Sequence, residues 1–174
     1  MANSKTAEIP LEEGELREVA RYAATCARQV LPLFEAAHPL DTRPREAIVE
    51  AEAFAAGKRR TATLRAVAWA ALAAARELDD GPDAHAAYAA SHAAGAAFLH
   101  PIASPHQVKH ILGAAVHQTL AQEDSAGNQL EWAASLASST VRDVLKRYPA
   151  PPRGRGRFSE LLCALDAQLR ESQS

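Results

Sequence analysis

Imidazole is the side chain best suited to proton or metal chemistry at neutral pH, and this chain carries seven of them. His85 and His92 are seven residues apart, and His106, His110 and His117 recur at four and seven, so on helices each set lines one face. Three chemistries fit: a hydrogen-bonded polar seam inside a core, a metal or small-ligand site, or a partner-binding or pH-sensitive group. The metal reading lacks its usual companions. His106-Gln-Val-Lys-His110 has no glutamate after the first histidine, Lys109 adds a positive charge, and no E-x-x-H pair of a di-iron bundle is present. No metal and no cofactor are expected.

A second candidate is Asp41-Thr-Arg-Pro-Arg-Glu-Ala-Ile48, which reads as a helix start. Pro44 suits a first turn, and Asp41 or Thr42 can cap the free amides. Arg43 and Arg45 stand at the positive end of the helix dipole, which costs roughly 0.3 to 1 kcal/mol each unless compensated. Either they pair with acids such as Asp41, Glu35 or Glu50 and pin this helix to its neighbours, or they form a guanidinium pair that recognises a carboxylate or phosphate.

Nothing else offers a nucleophile. There is no G-x-S-x-G, no phosphate-binding glycine loop and no cysteine beside a base in sequence, so no catalytic residue is assigned. Cys26 and Cys163, far apart and without C-x-x-C spacing, read as small core residues. Arg153-Gly-Arg-Gly-Arg157 lacks interleaved aromatics and suits a solvated linker better than a phosphate-binding surface.

The elements that must position these groups are helical. Of 174 residues 48% are hydrophobic but only 5% aromatic, with alanine, the best helix former, making up the difference. The expected fold is all-α: a single-domain, alanine-rich bundle of about seven helices over residues 11–174, behind a flexible tail of residues 1–10. Net charge of −2 and pI near 6.4 disfavour nucleic-acid binding and give no general pull toward a membrane. Residues 84–108 contain no Asp, Glu, Lys or Arg, but four histidines, Pro101 and Pro105 make them unfit to span a bilayer. With no apolar run near Met1, a cytoplasmic location is expected.

Periodicity and punctuation place helices over about 11–31, 42–56, 61–78, 83–99, 105–123, 127–137, 140–147 and 158–170. Pro32 should kink the first of these or open a short extra turn, and Gly57 should end the second. The helix from 83 to 99 has no charged face beyond Asp83 and belongs near the centre. Gly95 and Gly113 fall near the histidine faces, where a glycine lets a neighbouring backbone approach. If those two helices pack antiparallel, His92 and His110 lie roughly 10 and 7 Å from the connector and can meet.

Three segments carry a resemblance: the acidic-x-Arg-Pro-Arg helix start at Asp41–Arg45, Ser91-His-Ala-Ala-Gly-Ala-Ala-Phe-Leu-His100, and His110-Ile-Leu-Gly-Ala-Ala115. In order and spacing they resemble a family of all-helical, immunity-five-like proteins of bacterial polymorphic toxin systems, over roughly Leu11 to Gln122. The family pattern falls on Asp41, Arg43, Pro44 and Arg45, then His92 and His100, then His110 and Gly113. Ser91 stands where the pattern has glycine, and Pro101, Pro105 and His106 interrupt its histidine segments. The resemblance implies a cytoplasmic, non-catalytic protein that binds and blocks a cognate toxin.

On that reading Asp79, Asp80 and Asp83, or Arg43 and Arg45, form the partner interface, because charge complementarity governs fast association. The alternative is a small-ligand or metal-binding helical protein using His92, His100 and His110 between two adjacent helices, with Arg43 or Arg45 as anion anchor. That alternative requires a pocket where these residues converge.

Overall fold

The computed structural model describes residues 7–124 and 127–171. They form eight α-helices: α1 (Glu13–Ala37), α2 (Arg43–Ala55), α3 (Ala62–Arg76), α4 (Pro82–Gly95), α5 (Val108–Ala121), α6 (Gln129–Leu136), α7 (Ser139–Lys146) and α8 (Arg157–Glu171). No strand occurs among the described residues, and no described helix is long and apolar enough to cross a membrane.

Local chemistry accounts for most of the boundaries. The hydroxyls of Thr61 and Ser138 and the amide oxygen of Asn128 accept from the third backbone N–H of α3, α7 and α6, closing donors that the helix leaves unpaired. Gly57 takes φ +120° after α2, a conformation that a side chain would strain, while its N–H and that of Lys58 donate to Phe54 and Ala53.

α4 is the hub. It packs against α1, α2, α3 and α5, and Ala84, Ala86, Ala87, Ala89, Ala90, Ala93 and Ala94 are all buried on it. Methyl-sized side chains at half of its positions let four helices approach one axis. The bulk of the core comes from the neighbours: Leu31 and Phe34 of α1, Ile48 and Phe54 of α2, Ile111 and Leu112 of α5, and Leu165 and Leu169 of α8. Ala90→Leu, at a fully buried hub position, should therefore destabilise the protein by about 1–3 kcal/mol through overpacking, read as a lower urea midpoint.

Three expectations are corrected. α1 runs through Pro32 to Ala37, because Pro32 is on the solvent side and the carbonyl it leaves unpaired can bond water. α4 ends at Gly95, and a tight 3-10 turn (Ala96–Phe98) follows. α5 begins at Val108 after another such turn (Pro105–Gln107), which puts His106 outside the helix. Of the expected flexible tail, residues 1–6 lie outside the described residues. Residues 7–9 are tied down, for Ile9 donates to the Pro101 carbonyl at 2.9 Å, Ala103 donates to Ala7 at 3.0 Å, and Ile9 is buried.

Candidate functional site

Two constellations occupy the positions singled out in the sequence. The first is the charged start of α2. Arg43 donates from Nε and Nη2 to the Asp41 carboxylate and from Nη1 and Nη2 to Glu77 at 3.0 and 2.7 Å, joining the start of α2 to the end of α3. Arg45 donates to both oxygens of Glu35 on α1 at 2.6 and 2.8 Å. Asp41 also accepts from the Arg43 backbone N–H, so it caps the helix while neutralising the arginine that burdens it. Thr42 instead donates to Glu46.

These contacts hold the Asp41 and Glu77 carboxyls below their usual range and raise Arg43 further. Beside them His38 Nε2 meets Asp83 at 2.8 Å, tying the end of α1 to the start of α4 and lowering the Asp83 carboxyl. The two arginines thus act as forks between helices. Glu50, considered as a partner, pairs with Lys58. Arg43 lines a shallow cleft with His38, Leu40 and Asp41, and Arg45 lines another with Val49, Thr63 and Val67. Neither cleft includes His92, His100 or His110.

The second constellation is the seam between α4 and α5. His92 of α4 lies against Gly113 of α5, where an added Cβ would come 2.4 Å from its Nδ1. Reciprocally, His110 of α5 lies beside Gly95 of α4, its Nδ1 3.2 Å from the Gly95 carbonyl. Gly113 makes room for the His92 ring, whereas at Gly95 an added Cβ would stand at an ordinary contact distance, 3.9 Å from His110 Nδ1. His117 completes the row: its Nδ1 is 3.0 Å from Nδ1 of His85, and its ring stacks on Tyr88 and His92 with centroids 4.9 and 5.2 Å apart. Phe158 of α8 closes the far side at 4.8 Å from His117.

Burial dominates the electrostatics of this seam. Desolvation, with the neighbouring His110 and Lys109 adding to it, pulls His92 down to about 4. The same cause lowers His110 and His85, and takes His117 well below its ordinary value. Only His85 has carboxylates nearby, with Asp80 Oδ1 3.1 Å from its Nε2 and Glu123 acting at longer range. The rings are therefore neutral at pH 7, and one member of the His85–His117 pair donates its Nδ1–H to the other.

His100 stands apart. Its side chain is exposed, and it is its backbone that is engaged: the carbonyl accepts from the Tyr148 hydroxyl at 2.8 Å and the N–H donates to Gln107 at 3.0 Å. Of the three acids in the α3–α4 turn, Asp79 and Asp80 are exposed, while Asp83 is half-buried on His38. Among the described residues no group of three or more His, Cys, Asp or Glu is arranged to hold a metal ion.

Sequence reasoning missed three partners. Tyr88 was findable, since it sits three residues after His85 and four before His92 on the same helical face. Glu77 and Phe158 come from other helices and carry no local signal.

A sequence model of the family described as "Imm-5 like putative immunity protein" matches residues 10–148. The chain belongs to this immunity protein family. The match takes in both constellations except Phe158, so the arginine forks, the histidine seam and the Gly113 that accommodates it all lie within the family's extent. No curated protein and no solved structure matches this immunity family member.

Proposed function

We propose that this protein neutralises a bacterial toxin by binding it, as a non-catalytic, cofactor-free inhibitor in the cytoplasm of the cell it protects. The observation that carries the reading is the family match over residues 10–148. Two features support a binding role: the seam histidines pack on rings and glycine backbone, and burial pushes the Cys26 thiol up to about 12, far from a reactive thiolate. Tyr88, Phe158 and the α5 backbone at Gly113 pack directly on the seam rings, which favours a packed core over a small-ligand or metal site there.

On this reading Asp41, Arg43 and Arg45 shape the recognition end of the molecule by locking α1, α2 and α3 together, and His92 and His110 set the α4–α5 spacing. The exposed acids of the α3–α4 turn, Asp79 and Asp80, meet the toxin and steer it in. Asp83 supports the turn from His38.

The test is co-expression with the C-terminal domain of each polymorphic toxin encoded in the producing genome. Restored growth against one of them, with a stoichiometric complex of the purified pair, is expected. Protection against none would overturn the reading, and neutralisation of excess toxin by substoichiometric protein would overturn the non-catalytic part of it. Replacing Asp79 and Asp80 together by Ala should slow association about tenfold at low salt while leaving dissociation nearly unchanged. An unchanged association rate would remove this turn from the interface.

A further inference from the structure

α3 presents its outer side to solvent in an unusual form for a soluble bundle. Ala62, Arg65, Ala66, Trp69, Ala73 and Arg76 are all exposed and recur at three- and four-residue steps, so they make one continuous row along the helix. Trp69, in the middle, is 63% exposed. The opposite face, with Leu64, Ala71, Ala74 and Ala75, is the one buried in the core, so Trp69 contributes little to the packing that holds α3 in place. A large indole kept in water on a rigid helix is spent surface unless something covers it.

The charge on the row has one sign. α3 contains no Asp or Glu from Ala62 to Arg76, and neither Arg65 nor Arg76 has a carboxylate partner among the described residues. Arg65 lies over the Phe98 ring at 4.6 Å, which fixes its stem and leaves the guanidinium edge outward. At 1.5 Å per residue the two arginines are about 16 Å apart, bracketing Trp69 on one edge of the row. On the other edge Ala62, Ala66 and Ala73 form a floor of methyl groups over which another backbone can come close. Past Arg76 the sign reverses, at the exposed Asp79 and Asp80.

We infer that this row is the anchoring surface for the toxin, with Trp69 as its central residue, entering an apolar pocket whose rim carries carboxylates opposite Arg65 and Arg76. The inference rests on the proposed toxin-binding function and names the surface that performs it. Tryptophan and arginine are the side chains that most often dominate interface energetics, and they do so when desolvated together at the centre of a patch. Charge decides the occupant. A second copy laid antiparallel along the whole row would set Arg65 against its Arg76 and leave Asp79 and Asp80 beyond the overlap, whereas an acidic rim complements the row and a basic group beyond it complements Asp79 and Asp80. The reversal of sign along the surface also fixes the direction in which the partner lies.

The experiment uses the toxin domain against which the wild-type protein protects. Trp69→Ala should weaken binding about thirtyfold or more, chiefly through faster dissociation, with the melting temperature nearly unchanged because the side chain is exposed. Ala73→Glu, which removes no native contact and places bulk and negative charge on the row, should weaken it at least as much. In a Trp132→Phe background the Trp69 fluorescence should shift to the blue when toxin is added. Wild-type affinity in both variants, or an unshifted Trp69 in the saturated complex, would overturn the inference while leaving the inhibitor function standing. Sedimentation showing a concentrated dimer that Trp69→Ala abolishes would assign the row to self-association instead. If the wild-type protein protects against no toxin, the functional reading falls and the inference falls with it.

Discussion

Lowering the pH from 7 to 4 should destabilise the protein by about 3 kcal/mol through His92 alone. Burial depresses the four seam histidines, so between their ordinary value near 6.5 and their folded values the unfolded chain binds more protons than the folded one, and stability falls with falling pH. For His92 the drop to about 4, at ~1.4 kcal/mol per pH unit, amounts to about 3 kcal/mol. His117, more deeply depressed, adds to it, and the rings face one another, so charging one resists charging the next. Asp80 and Glu123 relieve only His85, and Lys109 works against His92.

The paired carboxylates have a separate window. Glu15, Asp41, Glu77 and Asp83 are lowered by their partners, so what they contribute is present above about pH 4.5 and is lost as the pH falls through their folded values. The urea midpoint should therefore be flat between about pH 7 and 8, fall steeply from 6.5 to 4, and fall again below. His92→Leu, which fills similar space without a titrating group, should flatten the first descent. A midpoint indifferent to pH between 6.5 and 4 would show that the seam is hydrated.

Gly113→Ala should be the most damaging of the glycine-to-alanine changes in this protein. The new Cβ would sit 2.4 Å from His92 Nδ1, 2.7 Å from Cγ and 2.8 Å from Cε1, distances at which something must move. His117 stacks on the ring and Phe158 lies beyond, so either the ring yields toward its partly exposed edge or α4 and α5 separate. The expected loss is at the upper end of the ~1–3 kcal/mol typical of overpacking, even after the ~1 kcal/mol by which alanine is the better helix former. Gly14→Ala on the exposed face of α1, where nothing lies within 4 Å, is the control and should stabilise by about 0.5–1 kcal/mol. Combining Gly113→Ala with His92→Ala should recover part of the loss, since the second change removes the obstacle created by the first. If Gly113→Ala alone melts at or above wild type, the close approach of ring and backbone is not what this glycine provides.

How far the site was legible in the sequence follows from the range of the interactions concerned. The histidine faces, the glycines opposite them and the choice of an uncharged alanine helix as hub were readable because helical period and glycine size act within one or two turns. The pairing of Arg43 with Asp41 was equally local, and that of Arg45 with Glu35 spans one loop. Glu77 was not legible: it reaches Arg43 only because α3 ends where α2 begins, a consequence of both packing on α4. His100 and His106 share the spacing of the seam but not its location, because the helix breaks at Gly95 and resumes at Val108.

By itself, then, the sequence determined an all-helical chain, its approximate helix ends, which helix is wrapped by the others and the family to which the chain belongs. Only the tertiary structure decided which histidines share a core, that Phe158 closes it, that residues 7–9 are held against the connector, and that Trp69 faces water. The reason is physical. Helix formation and capping are settled by residues a few positions apart, whereas the burial of a given face depends on which other helix arrives there, and that is chosen by the fit of the whole set around α4.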